Sequence, residues 1–261
     1  MRILFIGDIV GQPGVNMVVK AVPRLIESER LDLVVANAEN ASGGAGMTPS
    51  VYRQLRQAGV DAVTMGDHIY KKQDLMKLMA EGEPICKPAN YPPEAPGREY
   101  VVVSARDGNR VAVFSLLGRL YMRPVDCPLQ AAERVLKAVG DETKVILLNL
   151  HAEATGDKQS IGRYLDGKVS AVLGTHTHVP TADEQIFPGG TAYVTDVGMT
   201  GPRGGVIGVR KEQAIESLRT HMNIHFETSD DDPWLNAVLI TCSAPLRADA
   251  IEQVLEPWNA S

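Results

Sequence analysis

Five short apolar runs in this sequence each end on side chains able to bind a metal, and no other feature constrains the fold as tightly. Asp8 follows Ile3 to Ile6, Glu39 and Asn40 follow Leu33 to Ala36, and Asp67 and His68 follow Ala62 to Met65. His151 follows Val145 to Leu150, and His176 and His178 follow Ala171 to Gly174. Short apolar runs of this kind, rich in Val and Ile, read as strands of a largely buried sheet. In open α/β sheets the crevice beyond the carboxyl ends of the strands is the usual ligand site, so residues scattered along the chain can converge there. Taken singly each is ordinary: Asp8 could cap a turn, and His151 could be a satisfied core imidazole. Their joint placement resists explanation by packing, because a buried charge costs several kcal/mol unless it is paired or coordinated.

Amphipathic stretches separate the runs, which is the pattern of helices packed on a sheet and gives the α/β class. Further strands are expected at Tyr100 to Val103, Val111 to Leu116, Ala192 to Thr195 and Ala237 to Thr241. Helices are expected at Gly14 to Glu27, Pro49 to Ala58, Lys72 to Ala80, Leu129 to Val139, Ile161 to Leu165, Glu212 to Arg219 and Ala248 to Leu255. Thr48 before Pro49 reads as an N-cap followed by a first-turn proline, and Gly59 as a stop. Prolines 84, 88, 92, 93 and 96 exclude a regular helix from Glu83 to Arg98 and leave an ordered loop or rim. No repeat, low-complexity tract or linker interrupts the 261 residues, and the expectation is a single domain, 1–261.

Composition narrows the partners. The 26 Lys and Arg against 32 Asp and Glu give a net charge of −6 with no basic cluster, which argues against a duplex nucleic-acid face. No apolar stretch approaches the ~18 residues of a membrane span, and Gly7 and Asp8 interrupt the N-terminal run before it could serve as a signal-peptide core. Cys86, Cys127 and Cys242 are odd in number and lack C-x-x-C spacing, so they read as reduced thiols. The expectation is a soluble cytoplasmic protein with no membrane partner. Aromatic residues make up only 5% and offer no interface stripe; a homo-oligomer could pair through Tyr121 and Met122 or the C-terminal helix.

Oxygen and imidazole donors without cysteine suit Mn, Fe, Zn or a related divalent ion, and one of several carboxylates can bridge two of them. This is a two-metal hydrolase pattern. Glu39 could hold one ion with each oxygen, with Asn40 and Asp8 completing one side. In Gly174-Thr175-His176-Thr177-His178, an extended backbone would point both imidazoles to the same side. Gly7 to Gly14 follows a strand but has neither G-x-G-x-x-G spacing nor a P-loop lysine, which argues against a nucleotide cofactor there. Ser42 to Gly46 reads as a flexible turn with a possible place at the rim, and His221 and His225 as structural or exposed.

At these residues the sequence resembles the calcineurin-like metallophosphoesterases, and more closely their YmdB-like bacterial subfamily, along nearly the whole chain. The matching stretches are Ile6-Gly7-Asp8-Ile9-Val10-Gly11, Asn37-Ala38-Glu39-Asn40-Ala41, Met65-Gly66-Asp67-His68 and Pro88-Ala89-Asn90-Tyr91-Pro92. Asn149-Leu150-His151-Ala152-Glu153-Ala154-Thr155, Gly174 to His178 and Asp196-Val197-Gly198-Met199-Thr200-Gly201-Pro202 complete them. The resemblance implies a four-layer α/β/β/α sandwich of two mixed sheets and a dinuclear centre, with Fe or Mn favoured and Zn admissible. It implies hydrolysis of small phosphodiesters, including 2′,3′-cyclic nucleotides. Carried over, Asp8, Asn40 and His178 would contact one metal, Asp67, His151 and His176 the other, and Glu39 would bridge. His68 matches the histidine that stabilises or protonates the leaving oxygen.

One departure stands out: Gly66-Asp67-His68 replaces the usual Gly-Asn-His, so three carboxylates stand where the family has two. Less positive charge is then left to attract a phosphoester, which implies a shifted metal preference or slower turnover. The competing functions are a phosphomonoesterase and a regulatory metal- or nucleotide-binding protein whose catalysis Asp67 has weakened. Glu153 and Asp196 are candidate acceptors for ligand imidazole N–H groups.

Overall fold

A computed structural model describes residues 1–243 and 247–259. In chain order its first half holds β1 (Arg2–Ile6), β2 (Asp8–Ile9), α1 (Gly11–Ser28), β3 (Leu33–Asn37), α2 (Pro49–Gln57), β4 (Ala62–Thr64), α3 (Leu75–Glu81), β5 (Ile85–Cys86), β6 (Tyr100–Ser104) and β7 (Arg110–Leu117). The second half holds α4 (Pro128–Val139), β8 (Val145–His151), α5 (Thr155–Tyr164), β9 (Ala171–Thr175), β10 (Gln185–Ile186), β11 (Ala192–Val194), β12 (Met199–Pro202), α6 (Lys211–Thr220), β13 (Pro233–Thr241) and β14 (Ala250–Pro257).

The strands form two mixed sheets. In the first, β1, β3, β4 and β5 run parallel, while β13 joins β1 antiparallel and carries β14 on its other side. β12 extends that sheet past the end of β1 and pairs with β2. The second sheet is ordered β10-β11-β9-β8-β7-β6, parallel at its centre and antiparallel at both edges.

Alternation along strands that are apolar on both faces dictates the layering. Ile3, Phe5, Leu33 and Val35 meet Val111, Val113, Leu147, Ala171 and Leu173 in the core between the sheets. Their neighbours Leu4, Ile6, Val34 and Ala36 turn the other way, onto Val15, Val18, Val22 and Leu25 of α1 and onto α2 and α3. Ala112, Phe114, Leu148 and Val172 likewise cover α4 and α5. The result is the expected four-layer α/β/β/α sandwich.

Local signals fixed several ends. The Thr48 side chain accepts from the Val51 N–H and Pro49 opens α2, while Gly59, at φ +104°, turns the chain out of it. The three cysteines are free, Cys86 and Cys242 being buried. No helix among the described residues is long and apolar enough to cross a membrane.

One expectation fails outright: Ala248 to Leu255 is not a helix. Ala, Glu, Gln and Leu favour one by propensity, but the segment pairs with β13 over eight residues, and tertiary pairing overrides a weak local preference. The short strands β2, β5 and β10 are too brief for any periodic signal. The helix expected at Ile161 to Leu165 begins earlier, at Thr155, and ends at Tyr164.

Candidate metal centre

The parallel strands of both sheets end at one seam. From the first sheet, Asp8 stands just past β1, Glu39 and Asn40 past β3, and Asp67 and His68 past β4. From the second, His151 closes β8, and His176 and His178 follow β9.

The structure brings four of them tightly together: Glu39, Asp67, His151 and His176 each offer one ligand atom, all within 4.8 Å of one another. His151 Nε2 is the hub, 3.0 Å from Glu39 Oε1, 3.3 Å from Asp67 Oδ1 and 3.0 Å from His176 Nδ1. Asp8, Asn40 and His178 lie outside that set and adjoin it. Asp8 Oδ1 is 3.8 Å from His151 Nδ1, and its Oδ2 accepts the His176 backbone N–H at 2.8 Å. Asn40 Nδ2 lies 3.4 Å from both Glu39 Oε1 and His178 Nε2, while Asn40 Oδ1 accepts from His68 Nδ1 at 2.6 Å. The His68 backbone N–H donates to Glu39 Oε2 at 3.0 Å.

Each imidazole is oriented by a partner on its far side. The Thr175 hydroxyl donates to Asn149 Oδ1 at 2.7 Å, and Asn149 Nδ2 donates to Thr64 Oγ1 at 2.9 Å. With its hydrogen so committed, Thr175 Oγ1 accepts the His151 Nδ1–H at 2.9 Å, and Nε2 is left to face the cluster. His176 Nε2 meets Glu153 at 3.1 Å, as the sequence suggested for that carboxylate. His178 donates from Nδ1 to the Ile207 carbonyl at 2.9 Å, which turns Nε2 toward Asn40.

Two expectations need correction. The His176 to His178 segment is not extended: His176 and His178 have φ of +94° and +65°, because β9 ends at Thr175 and the chain turns there. Positive φ at a non-glycine residue costs of order 1–3 kcal/mol and persists only where surroundings hold it. Asp196 does not receive an imidazole N–H. Its carboxylate is taken by Lys158, by Thr177 and by the Gly198 N–H.

The charges at the seam suit a cation. Asp8 is wholly buried and its Oδ1 has no hydrogen-bond partner; burial raises its carboxyl above the ordinary value, against the pull of His151 and His178. Burial pushes Glu39 and Asp67 upward too, but the His151 imidazole outweighs it and holds both below their usual range. Burial disfavours a charged His151, yet Glu39, Asp67 and Asp8 together lift it well above 6.5. His176 moves down, through burial and then through repulsion from His151. In the metal-free chain the His151 proton therefore sits where three carboxylates need positive charge. An orphaned buried carboxylate oxygen, two further acids and converging imidazoles fit a divalent ion.

A cavity of about 460 Å³ opens over the seam, lined by Glu39, Asn40, His68, Glu153, His176 and His178 on one part and by Val10, Ile207 and Val209 on another. No Lys or Arg is among its described lining residues. Gly44 brings the glycine-rich turn to this rim, whereas His221 and His225 are exposed and outside it. Gly66 is required by close approach: a Cβ there would stand 2.3 Å from Glu39 Oε2 and 2.5 Å from His151 Nε2. Sequence reasoning gave no role to Gly66, Asn149, Thr175 or Lys158. The available signal was a polar residue inside an otherwise apolar strand, as at Asn149 and Thr175, which burial permits only when it is bonded.

Fold and site together define a hydrolase of the metallophosphoesterase type. Residues 4–254 match the family described as YmdB-like protein, and the chain belongs to that family. It is 41% identical to the 2′,3′-cyclic-nucleotide 2′-phosphodiesterase of Bacillus subtilis (strain 168), over 98% of this chain and 97% of that protein. A crystal structure of a hypothetical protein from Thermus thermophilus superposes with a TM-score of 0.93 at 38% identity, covering 98% of this chain and 99% of that one. That of a novel phosphatase from Mycoplasma pneumoniae gives 0.90 at 30% identity, over 98% and 93%.

Proposed function

We propose that this chain is a dinuclear metal-dependent phosphodiesterase that hydrolyses small phosphodiesters, with cyclic nucleotides such as 2′,3′-cAMP as its substrate class. The observation that carries this reading is the convergence of Glu39, Asp67, His151 and His176 beneath a cavity whose described lining has no Lys or Arg. Acidic groups alone would repel a phosphoester, so its attraction must come from bound cations. Similarity to the Bacillus subtilis enzyme supplies the substrate class.

Asp67, His151 and His176 would hold one ion, Asp8, Asn40 and His178 the other, with Glu39 shared between them. Asn40 would join through Oδ1 after a half-turn of its amide, a torsion with two broad wells. The all-oxygen and imidazole set suits Fe or Mn, with Zn admissible. When bound, the two ions supply Lewis acidity at phosphorus and lower the pKa of water. The ligands come from both sheets, so residues 1–261 act as one domain, and three free cysteines suit the cytoplasm.

The chain's own contribution centres on His68. With the Asn40 amide so turned, its Nδ2–H would face His68 Nδ1, which accepts it, and the ring hydrogen would lie on Nε2, placed for delivery to the leaving oxygen. Val10, Ile207 and Val209 give the base of a nucleotide an apolar wall, and the cavity volume is ample for a mononucleotide.

The test is turnover of bis-p-nitrophenyl phosphate and 2′,3′-cAMP by metal-loaded protein with and without a chelator. Chelation should abolish both activities; activity that survives removal of all metal would sink the dinuclear reading. His68→Ala should keep its metal and lose turnover by about 10²–10⁴-fold.

A further inference from the structure

Behind the seam lies a buried ion pair that the proposed reaction does not use. Lys158 of α5 and Asp196, which follows β11, are 1% and 0% exposed at their side chains and meet at 2.7 Å. Asp196 Oδ2 also accepts the backbone N–H of Thr177 at 3.2 Å and its hydroxyl at 2.6 Å, and Asp196 Oδ1 accepts the Gly198 N–H at 2.8 Å. Lys158 Nζ reaches the same Thr177 hydroxyl at 3.4 Å. The pair thus grips both the main chain and the side chain of the residue between His176 and His178, whose positive φ values an unrestrained loop would abandon.

We infer that Lys158 and Asp196 are positioning residues that lock Thr177 and thereby preset His176 and His178 for metal capture. The inference rests on the metal-binding reading above. A buried ion pair is a poor source of stability, since a hydrophobic replacement is often as good, so its presence here calls for another role. The geometry supplies one. The loop is clamped twice from the α5 side, through the Glu153 contact with His176 and through Lys158 with Asp196, while Ile207 holds His178 from the opposite side. Fixing a loop before the ion arrives lowers the cost of ordering it on binding, which appears as metal affinity.

The experiment titrates Mn2+ into chelator-stripped protein by calorimetry, with thermal unfolding of the stripped protein recorded alongside. Lys158→Met and Asp196→Asn should each weaken Mn2+ binding by about 10–100-fold, the range typical of partners behind metal ligands. A purely structural role would lower the stripped protein's unfolding temperature and leave the affinity of the folded fraction unchanged, and that result overturns the inference. Thr177→Val keeps the pair and the main-chain bond, so it folds even if the others do not. It should bind Mn2+ about 10-fold more weakly, and wild-type affinity in this variant also overturns the inference. Should the wild type itself take up no Mn2+, Fe2+ or Zn2+, the metal-binding reading fails first and the positioning role falls with it. Normal wild-type uptake with unaltered variants removes the positioning role alone.

Discussion

The two sheets bring opposite chemistry to the seam. The first contributes its carboxylates, Asp8, Glu39 and Asp67, together with Asn40 and His68; the second contributes imidazoles, His151, His176 and His178. They also differ in how firmly their groups are held from behind. All three imidazoles of the second sheet have the far nitrogen engaged, by Thr175, Glu153 and the Ile207 carbonyl. On the first sheet Asp8 Oδ1 has no partner, Asp67 relies on the facing His151, and Glu39 has besides His151 only local bonds from the Asn40 amide and the His68 N–H. Imidazole has one usable lone pair, so its direction must be set in advance, whereas a carboxylate offers several acceptor positions and can wait for its cation. The imidazole rim is therefore the preformed half of the site and the acidic rim the half that the metal completes.

The sharpest way to break this comparison is to remove charge from the acidic rim. Glu39→Gln keeps the shape but removes the carboxylate proposed above to be shared between two ions. It should lower metal affinity by on the order of 100-fold or more, beyond the 10–100-fold typical of supporting residues, and abolish turnover. Metal content after dialysis, with phosphodiesterase assays, checks both. Undiminished metal content would mean that the Glu39 carboxylate is dispensable and that the acidic rim is not the half the metal completes through it.

A smaller effect is expected behind the second sheet. Thr175→Val removes the acceptor of the His151 Nδ1–H and leaves Asn149 Oδ1 buried without its donor. Metal affinity should fall about 10–100-fold, and stability by about 1–3 kcal/mol, read from denaturant unfolding. Loss of stability with metal affinity intact would show that orientation of His151 comes from packing, and the contrast between preformed and metal-completed rims would lapse.

How much of this the sequence revealed follows the same division. Side chains that follow strands could be read directly, because the 2-residue alternation and the strand-end crevice tell where such groups go. The supports could not be read so easily. His151 and Thr175 are cross-strand neighbours in the parallel register of β8 and β9, and register between strands is invisible in a single run of residues. The same limit hid β14, whose composition favours a helix until β13 is seen to lack a partner on that edge. Asp196 reads from sequence as an acceptor for an imidazole N–H, since only the fold shows Lys158 reaching it from α5.

The finest test of the contrast is Asp67, the third carboxylate of the acidic rim, where the resemblance to the metallophosphoesterases implies an asparagine. Asp67 Oδ1 stands 3.3 Å from His151 Nε2 and 3.9 Å from His176 Nδ1, within the set of four convergent groups. Asp67→Asn would keep an oxygen there while removing a charge, so the remaining rim would neutralise less of the bound cations. Metal retention should weaken by a few-fold, on the order of a single partly exposed charge interaction, and turnover should rise by a similar factor because more positive charge faces the phosphoester. Paired measurement of metal affinity and kcat in Mn- and Fe-loaded protein decides it. Opposite movements of the two quantities would show that the extra carboxylate trades turnover for metal retention. Equal values in both proteins would mean that the acidic rim is buffered against its own charge count, as expected if His151 keeps its proton beside Asp67 rather than giving it up to a metal.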